Sequence, residues 1–100
     1  MDYTINNDST QRNVNMNGRL TFNDHDVFRE ITKSLEETGP SKCMINLNGL
    51  EFIDSAGLGL LLLVKEAAGE NNISLSITGA KDQVAKMLDI TKFNELIDIE

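Results

Sequence analysis

Residue types that build covalent cross-links and metal sites are scarce in this chain. Its 100 residues include one cysteine, Cys43, one histidine, His25, one proline and no tryptophan. A lone cysteine cannot close an internal disulfide, and Cys43 lies in an apolar run, so we expect an inert, buried thiol. Because no cysteine or histidine cluster accompanies His25, we interpret it as a solvated residue near a helix start and expect neither metal nor cofactor.

Basic residues are also few. Nine lysines and arginines stand against 16 aspartates and glutamates, and the formal net charge is -7. Nucleic-acid binding depends on basic side chains that neutralise phosphates, so the composition argues against a nucleic-acid partner. An acidic surface is compatible with a basic protein partner, although it also serves solubility alone.

Long hydrophobic runs are absent as well, and none approaches the length that spans a bilayer. The segment Met1–Asn6 has neither the basic start nor the apolar run of a signal peptide. We therefore expect a cytoplasmic protein with no direct membrane insertion.

Forty per cent hydrophobic residues are enough for one globular domain over residues 1–100. Strands and helices alternate in the predicted order β-β-α-β-α-β-α-β, which indicates an α/β fold. Its sheet is mostly parallel, with an antiparallel hairpin at the N-terminal edge. The first predicted elements are a hairpin within Tyr3–Asn17 that turns at Asn6–Ser9 and a helix that is capped by Asn23 or Asp24, runs to Glu37 and is stopped by Thr38–Pro40. A strand Cys43–Leu47 follows, bounded by Asn48-Gly49, and then a helix that ends near Gly69. The last three elements are a strand Ile73–Ile77, a helix Lys81–Leu88 and a strand Leu96–Ile99.

One hydroxyl stands between the buried strand and the second helix. Ser55 lies where that helix should begin, so it could cap the helix by accepting a backbone N–H. We expect the same position to be exposed, and it favours an anion because free N–H groups and the helix dipole point at it. Ser55 is therefore a candidate phosphorylation site as well as a candidate cap.

The second helix carries more leucines than one buried face can hold. At about 100° per residue, one broad arc packs on the sheet, and Leu58 and Leu62 fall outside it among polar positions, on the same side as Ser55. They could form an exposed docking patch, or the first and third helices could cover them. The arc comprises Leu60, Leu61, Leu63, Val64, Ala67 and Ala68.

Two glycines open this helix, although glycine inside a helix costs about 1 kcal/mol relative to alanine. Gly57 and Gly59 therefore suggest that another backbone comes close. The sequence leaves open whether that backbone belongs to a neighbouring strand or to a bound partner.

Catalytic motifs are incomplete around Ser55. A hydrolase nucleophile elbow, G-x-S-x-G, lacks its first glycine because Ile53 stands there. A dinucleotide fingerprint lacks its third glycine because Leu62 stands there, so a nucleotide site is only weakly indicated. We expect no catalytic residues, and therefore a protein that is not an enzyme.

The stretch Phe52-Ile53-Asp54-Ser55-Ala56-Gly57-Leu58-Gly59, reached from the strand Met44–Leu50, resembles the signature of the STAS domain. It is particularly similar to that of bacterial anti-sigma factor antagonists. The segments Gly18–Thr21 and Met87–Phe93 resemble the family's turn before its first helix and its late helix and turn. Thr21 and Asn46 stand where the family often has aspartate.

The resemblance implies a function switched by phosphorylation. Ser55 would be phosphorylated by a partner that is both serine kinase and anti-sigma factor, and only the unphosphorylated form would bind that partner. A metal-dependent serine phosphatase would restore it. Asp54, Ser55, Gly57, Leu58 and Leu62 would lie at the docking surface. The alternative is a constitutive STAS subunit that docks on a membrane transport complex or another signalling assembly.

Overall fold

The computed structural model describes residues 1–7, 10–38 and 41–100. Within them the chain follows the predicted order, so the α/β assignment is confirmed. The predicted hairpin turn and helix stop fall largely on residues 8–9 and 39–40, outside the described residues. The elements are β1 Asp2–Asn7, β2 Gln11–Leu20, a 3-10 turn Phe22–Asp24, α1 His25–Thr38, β3 Lys42–Ile53, α2 Ser55–Glu70, β4 Ser74–Thr78, α3 Asp82–Ile90, a second 3-10 turn Phe93–Glu95 and β5 Asp98–Ile99.

The strands lie in one sheet in the order in which they occur along the chain, β1-β2-β3-β4-β5. β1 and β2 pair antiparallel, with Tyr3 opposite Met16, and each later neighbour is parallel. Every parallel connection steps to the next strand in the same direction. Because such crossovers are right-handed, α1, α2 and α3 lie on the same face of the sheet.

Side chains along the strands alternate between the face covered by the helices and the opposite face of the sheet. On β2, Val14 and Met16 are buried beneath the helices, whereas Asn13 and Asn15 point to the other face and are only partly buried. On β3, Ile45 is fully buried, as are its neighbours two residues away on the same face. A strand with one apolar side and one polar side specifies its own register, because a slip by one residue would bury asparagine.

β3 is longer than the sequence predicts, because Asn48-Gly49 does not end it. The pairing of β3 with β2 shifts register between Asn15 and Asn17 and then goes on, so the strand continues to Ile53. Beside this shift the Asn46 Oδ1 atom accepts a hydrogen bond from the Asn48 N–H at 2.9 Å. The Asn17 side chain occupies the space where a Cβ atom at position 49 would lie, so a larger residue there would have to displace it. The added length carries the chain directly to Ser55.

The start of α1 also differs from the prediction. Neither Asn23 nor Asp24 caps it; Thr21 instead caps the 3-10 turn that precedes it, through its hydroxyl. The Asp24 Oδ2 atom accepts a hydrogen bond from the Thr21 N–H at 2.9 Å, which completes a capping box. At the other end of the chain, α3 continues to Ile90 and the last strand is shorter than predicted.

No helix in the described part of the chain combines the length and the apolar character needed to cross a membrane. The core lies between the sheet and the helices. Phe28, Ile31 and Leu35 of α1 recur at helical spacing, and each is no more than 1% exposed.

Cys43 is 1% exposed, and burial raises the pKa of its thiol from 9.0 to about 11. We expect the folded protein to react with thiol reagents near pH 8 only as fast as it unfolds, because the thiolate is the nucleophile. The measurement is the rate of disulfide exchange with an aromatic disulfide, with the protein in denaturant as the fully reactive control. Fast stoichiometric labelling of the folded chain would contradict the buried position.

The same shift makes stability depend on pH. The unfolded chain loses the thiol proton near pH 9 while the folded chain keeps it to about pH 11. The free energy of unfolding should therefore fall between pH 9 and 11, by about 1.4 kcal/mol per pH unit from this group. Chemical denaturation of Cys43→Ala over the same range should show a shallower decline.

Candidate functional site

The site begins where β2 and β3 end side by side. The Asp54 N–H donates to the Leu20 carbonyl at 3.3 Å, which ties the end of β3 to the end of β2. α2 starts at the next residue, Ser55, and runs for 16 residues. The position of Ser55 is therefore set by two strand ends rather than by a free loop.

Asp54, and not Ser55, caps α2. Its backbone is extended, at φ -106°, and its Oδ1 atom accepts a hydrogen bond from the Gly57 N–H at 2.7 Å. Its carbonyl accepts the first helical hydrogen bond, from Leu58, at 3.1 Å. The prediction of Ser55 as the cap was wrong by one residue, because the strand continues through Ile53 and only Asp54 is left between strand and helix.

Ser55 is exposed, as predicted. Its hydroxyl makes no hydrogen bond with any other residue that the structure describes. The carboxylate of Asp54 has taken over the capping role, so the fold does not use the Ser55 hydroxyl. The preceding Asp54 is itself only partly buried, which leaves a negative charge beside that hydroxyl.

The leucines of α2 are not arranged as the predicted arc requires. Leu58 is 6% exposed and belongs to the core, so of the two alternatives the covered one holds for it, and its assignment to the docking surface was wrong. Leu62 is partly buried and packs against the core from the outside. Leu63, which the arc placed against the sheet, is 45% exposed. Of the two leucines predicted beside Ser55, only Leu62 keeps an outward surface.

The close approach of another backbone requires glycine at position 57 but not at position 59. A Cβ atom at Gly57 would lie 2.7 Å from the Leu20 carbonyl oxygen and 2.8 Å from the Ile53 side chain, so Gly57 is required by the neighbouring strands. A Cβ atom at Gly59 would meet no described atom within 4 Å. Gly57 is buried and Gly59 is exposed. The close approach inferred from the sequence is therefore intramolecular at Gly57, and nothing within the described chain explains Gly59.

Ser55, Gly59 and Leu62 lie on one side of α2, since residues four and seven apart share a helix face. We call these three residues the switch face. Phe22 adds to its surroundings, because it is 71% exposed in the 3-10 turn that contacts α2. The Thr21–Asp24 capping box around Phe22 is the sequence signal that places it at the start of a helical turn.

Thr21 and Asn46 serve local structure. The Thr21 hydroxyl caps the turn before α1, and the Asn46 amide oxygen accepts from the Asn48 N–H. Among the residues described, no group of three or more histidine, cysteine, aspartate or glutamate side chains is arranged to hold a metal ion. The site thus consists of a hydroxyl, a capping carboxylate and a small apolar surface.

Comparison with known proteins identifies the family. Residues 4–100 match the family model described as the STAS domain. This chain belongs to the STAS domain family. It is 30% identical over 92 residues to a STAS-domain containing protein of Pseudomonas aeruginosa, covering 92% of this chain and 90% of that protein. It is 26% identical over 86 residues to an anti-sigma-B factor antagonist of Staphylococcus aureus, covering 86% of this chain and 80% of that protein.

Solved structures share the STAS fold at lower sequence identity. An anti-sigma factor antagonist from Mycobacterium paratuberculosis superposes with a TM-score of 0.84 at 14% identity, over 98% of this chain and 83% of that one. The phosphorylated form of the Bacillus cell fate determinant SpoIIAA superposes with a TM-score of 0.74 at 13% identity, over 99% of this chain and 91% of that one. A sulfate transporter family protein from Wolinella succinogenes superposes with a TM-score of 0.75 at 22% identity, over 87% of this chain and 70% of that one. These structures establish the fold and its antiparallel N-terminal edge.

The two glycines provide a matched pair of substitutions. Gly57→Ala should lower the free energy of unfolding by about 1–3 kcal/mol, because its methyl group would be forced into the Leu20 carbonyl. Gly59→Ala should raise it by up to about 1 kcal/mol, because alanine favours the helix and the site is open. Urea denaturation of both variants measures the difference; equal destabilisation would contradict the geometry.

The cap can be tested separately. Asp54→Ala should cost about 0.5–2 kcal/mol of stability, whereas Ser55→Ala should leave stability nearly unchanged, because only the aspartate bonds the helix. Thermal unfolding of the two variants gives the comparison. A larger loss for Ser55→Ala would return the capping role to the serine.

Proposed function

We propose that this STAS domain is an anti-sigma factor antagonist whose binding is switched by phosphorylation of Ser55. In this proposal the unphosphorylated chain binds an anti-sigma factor that is also a serine kinase, in the cytoplasm. Phosphate on Ser55 releases that partner, and a metal-dependent serine phosphatase removes it. The chain itself catalyses nothing.

The observation that carries the proposal is the idle, exposed hydroxyl of Ser55. A kinase needs a serine that it can enclose and whose hydroxyl is not committed to the fold. Ser55 meets both needs, because Asp54 caps the helix and the serine side chain points to solvent. The named relative among anti-sigma-B factor antagonists supports the class of partner.

Phosphate at this position should alter the surface and not the fold. It would add a charge of about -1.5 to -2 at neutral pH. At the first position of α2 that charge faces the positive end of the helix dipole, which favours it. Asp54 and the net charge of -7 oppose it, but Ser55 is exposed and solvent screens that repulsion.

Binding should be sensitive to the same phosphate. A partner that covers the switch face has to remove water from Leu62 and from the Ser55 side chain together. Burying a leucine is favourable, whereas burying an unpaired phosphate is costly, so the modified face should no longer be covered. Gly59 fits this interpretation, because a residue without a side chain lets a partner backbone come close to α2.

The alternative function is a constitutive STAS subunit of a membrane transport complex. The likeness to a sulfate transporter family protein favours it, as do Thr21 and Asn46, which carry no charge where the family often has aspartate. In that case the chain would co-purify with a transporter, and Ser55 would remain unmodified.

The decisive comparison is between Ser55→Ala and Ser55→Asp. Ser55→Ala should bind the anti-sigma kinase at least as tightly as the wild type and accept no phosphate, whereas Ser55→Asp should bind at least about tenfold more weakly, about 1.4 kcal/mol. Affinity is measured by calorimetry on a kinase captured with Ser55→Ala as bait and then purified. Intact mass after incubation with ATP should show one phosphate on the wild type.

Both variants should unfold at nearly the wild-type temperature, so that a change in binding reports the surface alone. Equal affinity of the two variants, or a phosphate that persists in Ser55→Ala, would rule out the switch at Ser55.

A lysine at position 62 tests the apolar part of the switch face. Leu62→Lys should weaken partner binding while the domain stays folded, because Leu62 packs against the core only from the outside. Leu96→Lys is the control, since Leu96 is 47% exposed and lies outside α2, in the segment before β5. If Leu62→Lys unfolds the domain, Leu62 is a core residue and not a docking residue.

A further inference from the structure

A second surface lies on the outer side of the helical layer, between α1 and α2. The two helices leave a groove of about 270 Å³ between them. Phe28 and Ala67, both nearly buried, form its floor, and the half-exposed Leu63 stands in its wall. Because Leu63 has no function in the core, its exposure at this groove calls for an explanation.

The groove is small. Pockets that enclose small organic ligands measure about 300–1,000 Å³ and bury most of the ligand. This one falls below that range and is open along its length, so it has room for a single large apolar side chain. Helix-in-groove recognition places such anchor side chains between two helices.

Charge at the rim is divided between the two ends. α1 connects β2 to β3, and α2 connects β3 to β4. Because these strands are parallel, the two helices run in the same direction and have their N-termini at the same end. His25 and Arg29 line the groove towards that end. Glu36, Glu66 and Glu70 line it towards the other end, and none of them forms an ion pair with another described residue.

The charge selects among possible occupants. A second copy of this chain would bring its own net charge of -7 against three unpaired glutamates, which is repulsive. An anionic membrane surface would be repelled for the same reason. A basic segment is attracted, and its long lysine or arginine side chains can pair with carboxylates on either helix.

We propose that this groove docks a basic amphipathic helix of a protein partner. One large apolar side chain of that helix packs on Phe28, Leu63 and Ala67. Its basic side chains pair with Glu36, Glu66 and Glu70 at the acidic end. The acidic end fixes the direction in which the helix lies.

This contact is independent of the switch at Ser55. Leu63 follows Ser55 by eight residues, which is about 12 Å along a helix at about 1.5 Å per residue. At physiological ionic strength the Debye length is about 8 Å, so a phosphate on Ser55 is largely screened at the groove. The groove therefore stays competent in both states of Ser55, and its test does not depend on the proposed function.

The probe is a synthetic helix of about 14 residues, about four turns, built from lysine and leucine with one apolar face. Its control has glutamate in place of every lysine. In a two-dimensional amide NMR titration we expect the basic peptide to shift the amides of Leu63, Glu66, Ala67 and Glu70 most, in saturable fashion. The acidic peptide should produce no saturable shift.

Matched variants separate the apolar anchor from general attraction to an acidic protein. Leu63→Ser should weaken binding of the basic peptide at least about fivefold, about 1 kcal/mol. Leu96→Ser changes a position of almost equal exposure and should leave the affinity unchanged. Glu66→Lys should also weaken binding of the basic peptide, because it replaces a carboxylate at the acidic end with a positive charge. Ser55→Asp should bind the peptide as tightly as the wild type.

Shifts spread over the whole acidic surface, or an unchanged affinity in Leu63→Ser, would overturn the proposal. Loss of binding in Ser55→Asp would overturn it too, because the groove and the switch face would then be one surface.

Discussion

A single carboxylate organises the site. The Asp54 side chain bonds the Gly57 N–H at 2.7 Å, and the Asp54 backbone N–H bonds the Leu20 carbonyl at 3.3 Å. The same residue therefore starts α2 and joins the ends of β2 and β3. Its most important consequence concerns its neighbour, because a cap supplied by Asp54 leaves the Ser55 hydroxyl without a structural task. The proposed chemistry at Ser55 depends on this division of roles between adjacent residues.

The arrangement of the sheet explains why α2 offers two outward surfaces. Crossovers that step in one direction put every described helix on one face of the sheet, and α2 lies next to α1 in that layer. Its inner side is filled by the core, and its outer side divides into the switch face and the groove beside α1. One surface contains the Ser55 hydroxyl, and the other contains the exposed Leu63 with unpaired glutamates towards one end.

Local patterns predicted the elements well and their ends less well. Alternation of apolar and polar residues or a short apolar run marks the strands, and helical spacing is visible in α1, so the order and class of the fold followed from the sequence. Strand β3 was predicted too short, because Asn48-Gly49 reads as a turn when it is seen alone. It continues by pairing with β2, where Asn17 lies opposite Gly49. Such a contact joins residues far apart in the chain and leaves no local signal.

What the sequence determined by itself was the family pattern, the α/β order and the exposure of a serine where a strand meets a helix. What only the tertiary structure decided was which leucines of α2 face the core. Leucines stand on several sides of that helix, so their spacing does not select one rotation about its axis. Contact with the sheet and with α1 selects it, burying Leu58 and leaving Leu63 in solvent. The physical reason is that burial depends on the surfaces that neighbouring elements present, and those surfaces exist only after the chain has folded.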